Sequence, residues 1–311
     1  MFPKCRSNKS TVEILSLSNV RPQDRYSLVV EYKFKKSMKE IQTKKYEKSD
    51  FAKCEKCFLI KKSYCICSEL DCVRYNLLNL EIYPIIEILM VMDHREIFKS
   101  SNTGKIINLI IPNCQTFIYG LKEDMLRLFD IIEKNKNDML LLFPERNSKT
   151  FLEVMDEIFY NRMNFNKFEG ELEYKSISSL LKYSRIFIII LDGTWSQAKN
   201  MNKNIPRYIP RVRITSKDIS DFGPLRKQTK IGNISTIETV SLFLNDMKSF
   251  LLKFEDKSGN IENIDTISKL LLKCLDILIR NVLSQCKREY LSEVLMNRNE
   301  RKFLKNIDGN I

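Results

Sequence analysis

A run of large apolar residues between Arg185 and Asp192 constrains the fold of this chain more than any other feature. The segment reads RIFIIILDGTWSQAKNM, and every residue from Ile186 to Leu191 is large and apolar. A strand that is apolar on both faces is typical of the buried centre of a parallel sheet. Burying each of these side chains contributes about 1.5 to 3 kcal/mol, so the strand is a rigid base for the residues after it. Those residues are an acid, a glycine, a threonine and the only tryptophan of the chain.

Strand and helix patterns alternate along most of the chain on either side of this run. Strands are predicted at 85–92, 116–119 and 139–143, a loop leading into a helix at 101–111, and further helices at 122–133, 237–254 and 267–278. Residues 158–176 show no clear period, which predicts an inserted loop. Alternating strands and helices imply an α/β fold with a mostly parallel sheet, and such sheets bind ligands at the carboxyl ends of their strands. Asp192 is at one of those ends, so we expect a functional site there.

Two closely spaced cysteine pairs precede the first strand, in the segment CEKCFLIKKSYCIC. The pairs are Cys54 with Cys57 and Cys65 with Cys67. Four thiolates that converge on one point form the tetrahedral ligand set of zinc, and the metal would crosslink a segment with too little apolar mass to fold alone. A disulfide pairing conflicts with a reducing intracellular environment, and a plain buried cluster conflicts with the surrounding lysines. We therefore predict a structural zinc site, with Cys72 as an alternative ligand.

The charge balance is strongly basic. The chain has 52 Lys and Arg against 39 Asp and Glu, a formal net charge of +13. Such an excess attracts polyanions, of which nucleic acid is the commonest in a cell, although a lysine-rich background composition is the alternative explanation. Eleven lysines lie between Lys33 and Lys62, and the first part of this segment predicts a flexible basic arm.

Targeting and membrane signals are not apparent in the sequence. No apolar run reaches the length of a membrane span, so we expect no membrane partner. The first twenty residues lack the basic, apolar and small-residue regions of a secretory signal. These features predict a cytoplasmic or nuclear protein.

The run DGTWSQAKNM resembles the signature of the DTW-domain family, which is named for residues that stand here as Asp192, Thr194 and Trp195. The segment with the two cysteine pairs resembles the cysteine cluster of that family. SSNTGK at 100–105, LLFP at 141–144, and LRK with STIETV between 225 and 240 resemble three more of its blocks. The similarity covers about residues 50–255, and five short motifs in order are far more specific than one.

The resemblance implies a tRNA-uridine aminocarboxypropyltransferase. Such an enzyme transfers the 3-amino-3-carboxypropyl chain of S-adenosylmethionine to uridine N3 and releases methylthioadenosine. The family's relation to the SPOUT methyltransferases also implies a trefoil knot in the sheet. On this basis we expect a basic arm at 1–50, a zinc-binding segment at 51–80, a catalytic domain at 81–256 and a helical extension with a basic tail at 257–311. tRNA is the expected partner, and the oligomeric state stays open.

Asp192 is the expected catalytic residue. A carboxylate at a strand end could take the proton from uridine N3, or it could orient the uracil imide. The alternative is that Asp192 only caps the following helix. Trp195 could stack on adenine or uracil, or it could pack in the core. Gly193 would allow the backbone to approach a ligand closely.

The resemblance also supplies a set of cofactor-binding residues. These are Asn102, Thr103, Gly104, Pro144, Gly193, Thr194, Trp195, Arg226, Ser235, Thr236 and Glu238. The first three also suit a helix N-terminal turn, and Ser235 with Glu238 also suits a helix start with a capping box. Arg226 and Lys227 could hold the cofactor carboxylate or an RNA phosphate, or they could lie in a solvated loop.

Three features depart from the family pattern: two residue pairs, and the insertion near 158–176 together with the long C-terminal helices. Asp93 and His94 stand where a His-Pro pair is usual, so we assign no catalytic role to the only histidine. Glu96 matches an acid of that block, and Asn147 with Ser148 replaces a common Asp-Ala pair. Three other functions stay open. The first is a SPOUT-type RNA methyltransferase, which would release S-adenosylhomocysteine. The second is an aminocarboxypropyltransferase that acts on ribosomal RNA and gives the same by-product, and the third is a non-catalytic zinc-bearing RNA-binding module.

Overall fold

The computed structural model describes residues 22–43, 52–82, 85–166, 185–214, 220–225, 232–253 and 260–286. In chain order the helices and strands are α1 (Pro22–Thr43), α2 (Cys67–Leu78), β1 (Ile85–Asp93), α3 (Gly104–Ile110), β2 (Cys114–Tyr119), α4 (Lys122–Lys134), β3 (Met139–Leu142), β4 (Lys149–Thr150), α5 (Phe151–Asn166), β5 (Arg185–Asp192), α6 (Trp195–Asn204), β6 (Arg211–Arg213), α7 (Thr236–Leu252) and α8 (Asn260–Gln285). A short 3-10 helix at Lys136–Asp138 precedes β3. No helix in these ranges is long and apolar enough to cross a membrane.

The described strands form one six-stranded sheet in the order β2-β1-β5-β3-β6-β4, and every pair in it is parallel. The predicted α/β fold with a mostly parallel sheet is therefore confirmed. β5 lies between β1 and β3, and residues Ile186 to Ile190 are all buried. The register pairs Met92 of β1 with Asp192 of β5, so these two strands end at the same edge. We call this the carboxyl edge.

Helices cover both faces of the sheet. Alternate residues of the central strands point to opposite faces, and because both sets are apolar, each face needs helices to bury it. On one face Ile88 and Met90 share a buried cluster with Phe243 of α7 and Leu275 of α8. On the other face Leu89 and other strand residues pack with side chains of α4 and α6. This double cover explains why the central strands are almost continuously apolar.

The two long C-terminal helices belong to the first of these clusters. α7 matches the predicted helix at 237–254 to within two residues at each end, and α8 extends the predicted helix at 267–278 in both directions. The apolar stripes of both helices are buried as core. The Ser241 and Ser268 hydroxyls lie 2.7 Å apart between the helices. The boundary expected near residue 256 therefore separates two helices that pack in one core.

Two predictions made from composition differ from the structure. The segment expected to be a flexible arm contains α1, because Tyr26, Val30 and Phe34 recur at every fourth position and form an apolar stripe that the lysines obscure. The loop expected at 158–176 is partly helical, since α5 continues to Asn166, and residues 167–184 lie outside the described ranges.

Candidate active site

Asp192 is the last residue of β5, and its carboxylate is buried with 3% of its surface exposed. The Asn102 side-chain amide donates a hydrogen bond to Asp192 Oδ2 at 2.6 Å. The Thr236 hydroxyl donates to Asp192 Oδ1, also at 2.6 Å. Three of the predicted site residues therefore meet at one point, although Asn102 and Thr236 are 90 and 44 positions away from Asp192 in the chain.

Asn102 lies in the turn before α3 and has contacts on both sides. Its Oδ1 accepts a hydrogen bond from the backbone N–H of Lys105 at 2.7 Å, and so satisfies one N–H group in the first turn of α3. This contact fixes the orientation of the amide, so that its nitrogen is directed at Asp192. The Asn102 side chain therefore binds both the first turn of α3 and the Asp192 carboxylate.

Thr194, and not Asp192, caps the helix after β5. The Thr194 hydroxyl accepts a hydrogen bond from the backbone N–H of Gln197, and the Gln197 side chain accepts one from the backbone N–H of Thr194. This capping box satisfies the first turn of α6. The structure therefore removes the capping explanation for Asp192 and leaves its carboxylate facing the site.

Burial is the main influence on the Asp192 carboxyl, and it raises the pKa above the usual range of an aspartate. The hydrogen bonds from Thr236 and Asn102 oppose this rise, as does the positive charge of Lys105, while the charge of Glu96 adds to it. A buried carboxyl with a raised pKa is a stronger proton acceptor once it is ionised.

A polar cavity of about 510 Å³ opens at the carboxyl edge in front of Asp192. Eight of the predicted site residues line it: Asn102, Thr103, Asp192, Gly193, Thr194, Trp195, Ser235 and Thr236. The structure adds residues that sequence reasoning did not assign to the site, including Glu96, Lys99, Ser220, Phe222 and Asn233. Glu96 matched a family position, but the remaining four carry no local pattern that marks them as site residues.

A second, largely apolar cavity of about 330 Å³ adjoins the first. Pro144 lines it together with Phe143, Leu191 and Val212. The two cavities share a wall formed by Gly193, Trp195, Asn233, Ile234 and Thr236. The Trp195 ring centroid lies 6.3 Å from that of Phe143, so this tryptophan both packs on the protein and borders both cavities.

Glu96 and Lys99 form an ion pair on the wall of the polar cavity. The Lys99 ammonium donates to Glu96 Oε1 at 2.7 Å, and Glu96 is buried whereas Lys99 is half exposed. His94 lies close in sequence but does not line either cavity. Its Nδ1 is 3.7 Å from Asp93 Oδ1, and burial lowers its pKa.

Glu238 and Gly104 are the two described members of the predicted cofactor-binding set that line neither cavity. Glu238 Oε2 accepts hydrogen bonds from the Ser235 backbone N–H and from the hydroxyls of Ser235 and Ser220. Its Oε1 accepts from the backbone N–H of Asp221. Glu238 therefore holds the 220–222 segment, which forms one wall of the polar cavity. Arg226 and Lys227 lie outside the described residues.

The four predicted cysteine ligands converge in a segment that we call the cysteine knuckle, residues 52–67. The sulfur atoms of Cys54, Cys57, Cys65 and Cys67 all lie within 4.8 Å of one another, a group that could hold a metal ion. The Sγ atoms of Cys54 and Cys67 are 3.5 Å apart, and those of Cys57 and Cys65 are 3.7 Å apart. Cys72 is exposed on α2 and is not part of the group.

Lys105 connects the cysteine knuckle to the turn at 99–102, which contains Asn102. Its buried ammonium donates to the backbone carbonyl of Cys57 at 2.8 Å and to that of Lys99 at 2.5 Å. It also lies 4.8 Å from the centroid of the Phe58 ring. Because the backbone N–H of Lys105 binds Asn102, this one residue ties the knuckle to the group that holds Asp192. Burial lowers the pKa of Lys105 to about 7.

Gly104 gives the first testable prediction. A Cβ at this position would lie 2.6 Å from Asp192 Cγ, and Asp192 cannot retreat easily because Asn102 and Thr236 hold it. We expect Gly104→Ala to reduce the free energy of unfolding by about 1 to 3 kcal/mol, as overpacking in a buried site does. Denaturant unfolding measures this loss. Asn108→Ala, at an exposed position of the same helix, is the control, and equal stability of the two variants would contradict the close packing.

The parallel sheet, with a buried carboxylate and two adjoining cavities at its carboxyl edge, defines an α/β protein with the arrangement in which such sheets bind ligands. The particular family is evident from the sequence match. The model of the DTW domain matches residues 51–283, so the chain belongs to the DTW-domain family, the family of the tRNA aminocarboxypropyltransferases. Family membership indicates a tRNA-modifying enzyme. No solved structure matches the chain.

Proposed function

We propose that this protein transfers the 3-amino-3-carboxypropyl group of S-adenosylmethionine to N3 of a uridine in tRNA and releases methylthioadenosine. The observation that carries the proposal is the buried Asp192 carboxylate on the wall of a polar cavity that adjoins an apolar one. The apolar cavity suits the adenosine and thioether part of the co-substrate. The polar cavity suits the uracil together with the charged amino-acid end.

The proposed reaction assigns the proton and both electron pairs. Asp192 takes the proton from uridine N3, and the electron pair on N3 forms a bond to the γ-carbon of the amino-acid chain. The bond from that carbon to sulfur breaks, and its electron pair stays on sulfur as a neutral thioether. Because an anionic nitrogen and a sulfonium cation are both neutralised, a poorly hydrated site favours this step over bulk water.

The Glu96 and Lys99 pair supplies the charges that an α-amino acid requires. A ligand with one ammonium and one carboxylate could replace the direct Glu96–Lys99 ion pair, with its ammonium on Glu96 and its carboxylate on Lys99, through charge-assisted hydrogen bonds. In this proposal the chain of the co-substrate lies in the polar cavity, beside Asp192. Sulfur carries three carbons that could be attacked, and such binding would present the γ-carbon to N3.

Zinc and a trefoil knot belong to the same proposal. A zinc ion with Zn–S bonds of about 2.3 Å has sulfur atoms roughly 3.8 Å apart, which is close to the spacing in the cysteine knuckle. The ion would crosslink the knuckle and thereby hold Lys105. We propose the knot from the relation of the family to the SPOUT methyltransferases, and the position of β5 between two earlier strands is compatible with it.

Product analysis tests the proposal. The full-length protein is incubated with S-adenosylmethionine and unmodified tRNA, and the small molecules are identified by mass spectrometry. Methylthioadenosine that forms only when tRNA is present, in proportion to modified uridine, is the expected result. S-adenosylhomocysteine as the product would show methyl transfer instead and would overturn the proposal. Reactions without tRNA and with Asp192→Asn serve as controls.

A further inference from the structure

We propose that α1 and the cysteine knuckle together form the surface that binds the phosphate backbone of tRNA beside the Asp192 cavity. The inference rests on the proposed function, since it takes tRNA as the partner and assigns the place where it docks. α1 lies outside residues 51–283, so it is not part of the region that matches the DTW domain.

α1 is fixed on the carboxyl edge by its apolar stripe. The ring centroid of Tyr26 lies 6.1 Å from that of Tyr119, the last residue of β2. Val30 is 1% exposed and packs so closely on Gly120 that a Cβ at the glycine would lie 2.8 Å from Val30 Cγ2. Gly120 has a φ of +92°, a conformation that favours glycine. The absence of a side chain also lets α1 approach the turn after β2 closely.

One aromatic residue connects α1, the cysteine knuckle and the cavity. The ring centroid of Phe98 is 5.7 Å from that of Phe34 on α1 and 5.6 Å from that of Phe58 in the knuckle. Phe98 lies between Glu96 and Lys99, which line the polar cavity. Both elements therefore pack against the turn that borders the proposed uracil site.

Both elements present lysines to solvent. Among the side chains described at 26–39 and 52–62, only Glu31 and Glu55 are acidic. The exposed or half-exposed lysines in the same ranges are Lys33, Lys35, Lys36, Lys39, Lys53, Lys56, Lys61 and Lys62. Lys35 pairs with Glu31, whereas Lys33 is close enough to His94 to influence it electrostatically. Arg95 also has 59% of its side chain exposed, but its guanidinium is paired with the Asp93 carboxylate at 2.8 Å and so adds little net charge to this surface.

This pattern fits a phosphate backbone better than a lipid surface. Clustered lysines neutralise successive phosphates and release their counterions, which requires charge but no apolar contact. A membrane-binding helix needs an apolar face that can enter the lipid. The apolar face of α1 packs inward, where Val30 is buried against the protein.

A matched pair of charge variants tests the surface. Lys33→Gln combined with Lys36→Gln removes two charges from the outer side of α1, and glutamine retains the helix propensity. The control combines Lys134→Gln with Lys136→Gln, two positions just before β3 at the opposite edge of the sheet. Fluorescence anisotropy gives the Kd for labelled unmodified tRNA between about 50 and 200 mM salt.

We expect the slope of log Kd against log salt to become shallower by about 2 in the α1 variant, since each lost phosphate contact lowers it by about 1. The KM for tRNA rises while kcat stays the same, and the control behaves as wild type. An α1 variant that matches the control overturns the inference, as does wild type binding to phosphatidylserine vesicles in preference to tRNA. If the salt slopes differ as expected but no aminocarboxypropyl group is transferred to tRNA, the proposed function is overturned and the inference about the binding surface stands.

Discussion

Replacing Asp192 by Asn is expected to lower the rate of transfer by about 10² to 10⁴-fold, the usual contribution of a general base. Asparagine has nearly the same shape but cannot take the proton from uridine N3. The affinity for tRNA should stay within about twofold of wild type, because Asp192 is buried beneath the cavity and away from the lysine surface. Single-turnover kinetics with saturating enzyme separates this loss from a change in binding.

The pH dependence gives an independent readout of the same residue. Burial raises the pKa of Asp192, so the carboxyl is protonated and inactive below that pKa and becomes a competent base as the pH rises through it. The wild-type rate should therefore increase with pH in this range, and the residual rate of Asp192→Asn should lack that increase. Turnover close to wild type in Asp192→Asn would mean that the residue only orients the uracil.

Asp192→Asn also changes the hydrogen bonds of the site. Both carboxylate oxygens accept, from Asn102 and from Thr236, whereas an asparagine amide accepts at its oxygen and donates from its nitrogen. Because Lys105 holds the Asn102 amide, the new nitrogen would face Thr236, whose hydroxyl can turn to accept from it. We therefore expect the free energy of unfolding to change by no more than about 1.5 kcal/mol, the net contribution of one hydrogen bond, and unfolding curves that accompany the kinetics check this.

Loss of one of the proposed metal ligands is the second change with a large expected effect. Cys57→Ser should lower the metal content well below one ion per chain, because structural sites use all four ligands. Metal binding supplies much of the folding free energy of such segments, about 10 to 16 kcal/mol in isolated zinc-finger peptides. We expect the cysteine knuckle to unfold locally and the rate of transfer to fall together with it.

Local unfolding of the cysteine knuckle should also disturb the candidate active site, because Lys105 contacts both. Lys105 donates to the Cys57 carbonyl and to the Lys99 carbonyl, while its own N–H binds Asn102. Hydrogen exchange should therefore accelerate in residues 96–105 as well as in 52–67. Cys72→Ser is the matched control, since Cys72 is exposed and outside the sulfur group. Unchanged exchange at 96–105 in metal-free Cys57→Ser would contradict the link.

The central part of the fold could be predicted from the sequence because it depends on local apolar patterns. The continuous apolar run from Ile186 to Leu191 needs burial on both faces, which the middle of a parallel sheet provides, and β5 lies there. α1 could not be predicted in the same way. Its stripe of Tyr26, Val30 and Phe34 is interrupted by charged residues, and it is stabilised by contacts with Tyr119, Gly120 and Phe98 that are distant in the chain.

In the site, too, features set by short sequence patterns could be predicted, whereas contacts between residues distant in the chain could not. The four cysteines and the start of α7 were evident from spacing, and the structure brings each of these groups together. Motifs alone could not show that Asn102 and Thr236 bind the two oxygens of one carboxylate. Nor could they separate Glu238, which holds a loop, from Glu96, which borders the cavity, since both are acids next to a family block.

An isotope experiment tests the central claim most directly, because it shows which carbons enter the RNA. Two samples of S-adenosylmethionine are used, one labelled with ¹³C in the methyl group and the other in the amino-acid chain. Each is incubated with the full-length protein and unmodified tRNA, and the digested nucleosides are analysed by mass spectrometry. We predict that uridine acquires the label of the amino-acid chain and none from the methyl group. Methyl label in the RNA, with no label from the chain, would contradict the proposed transfer.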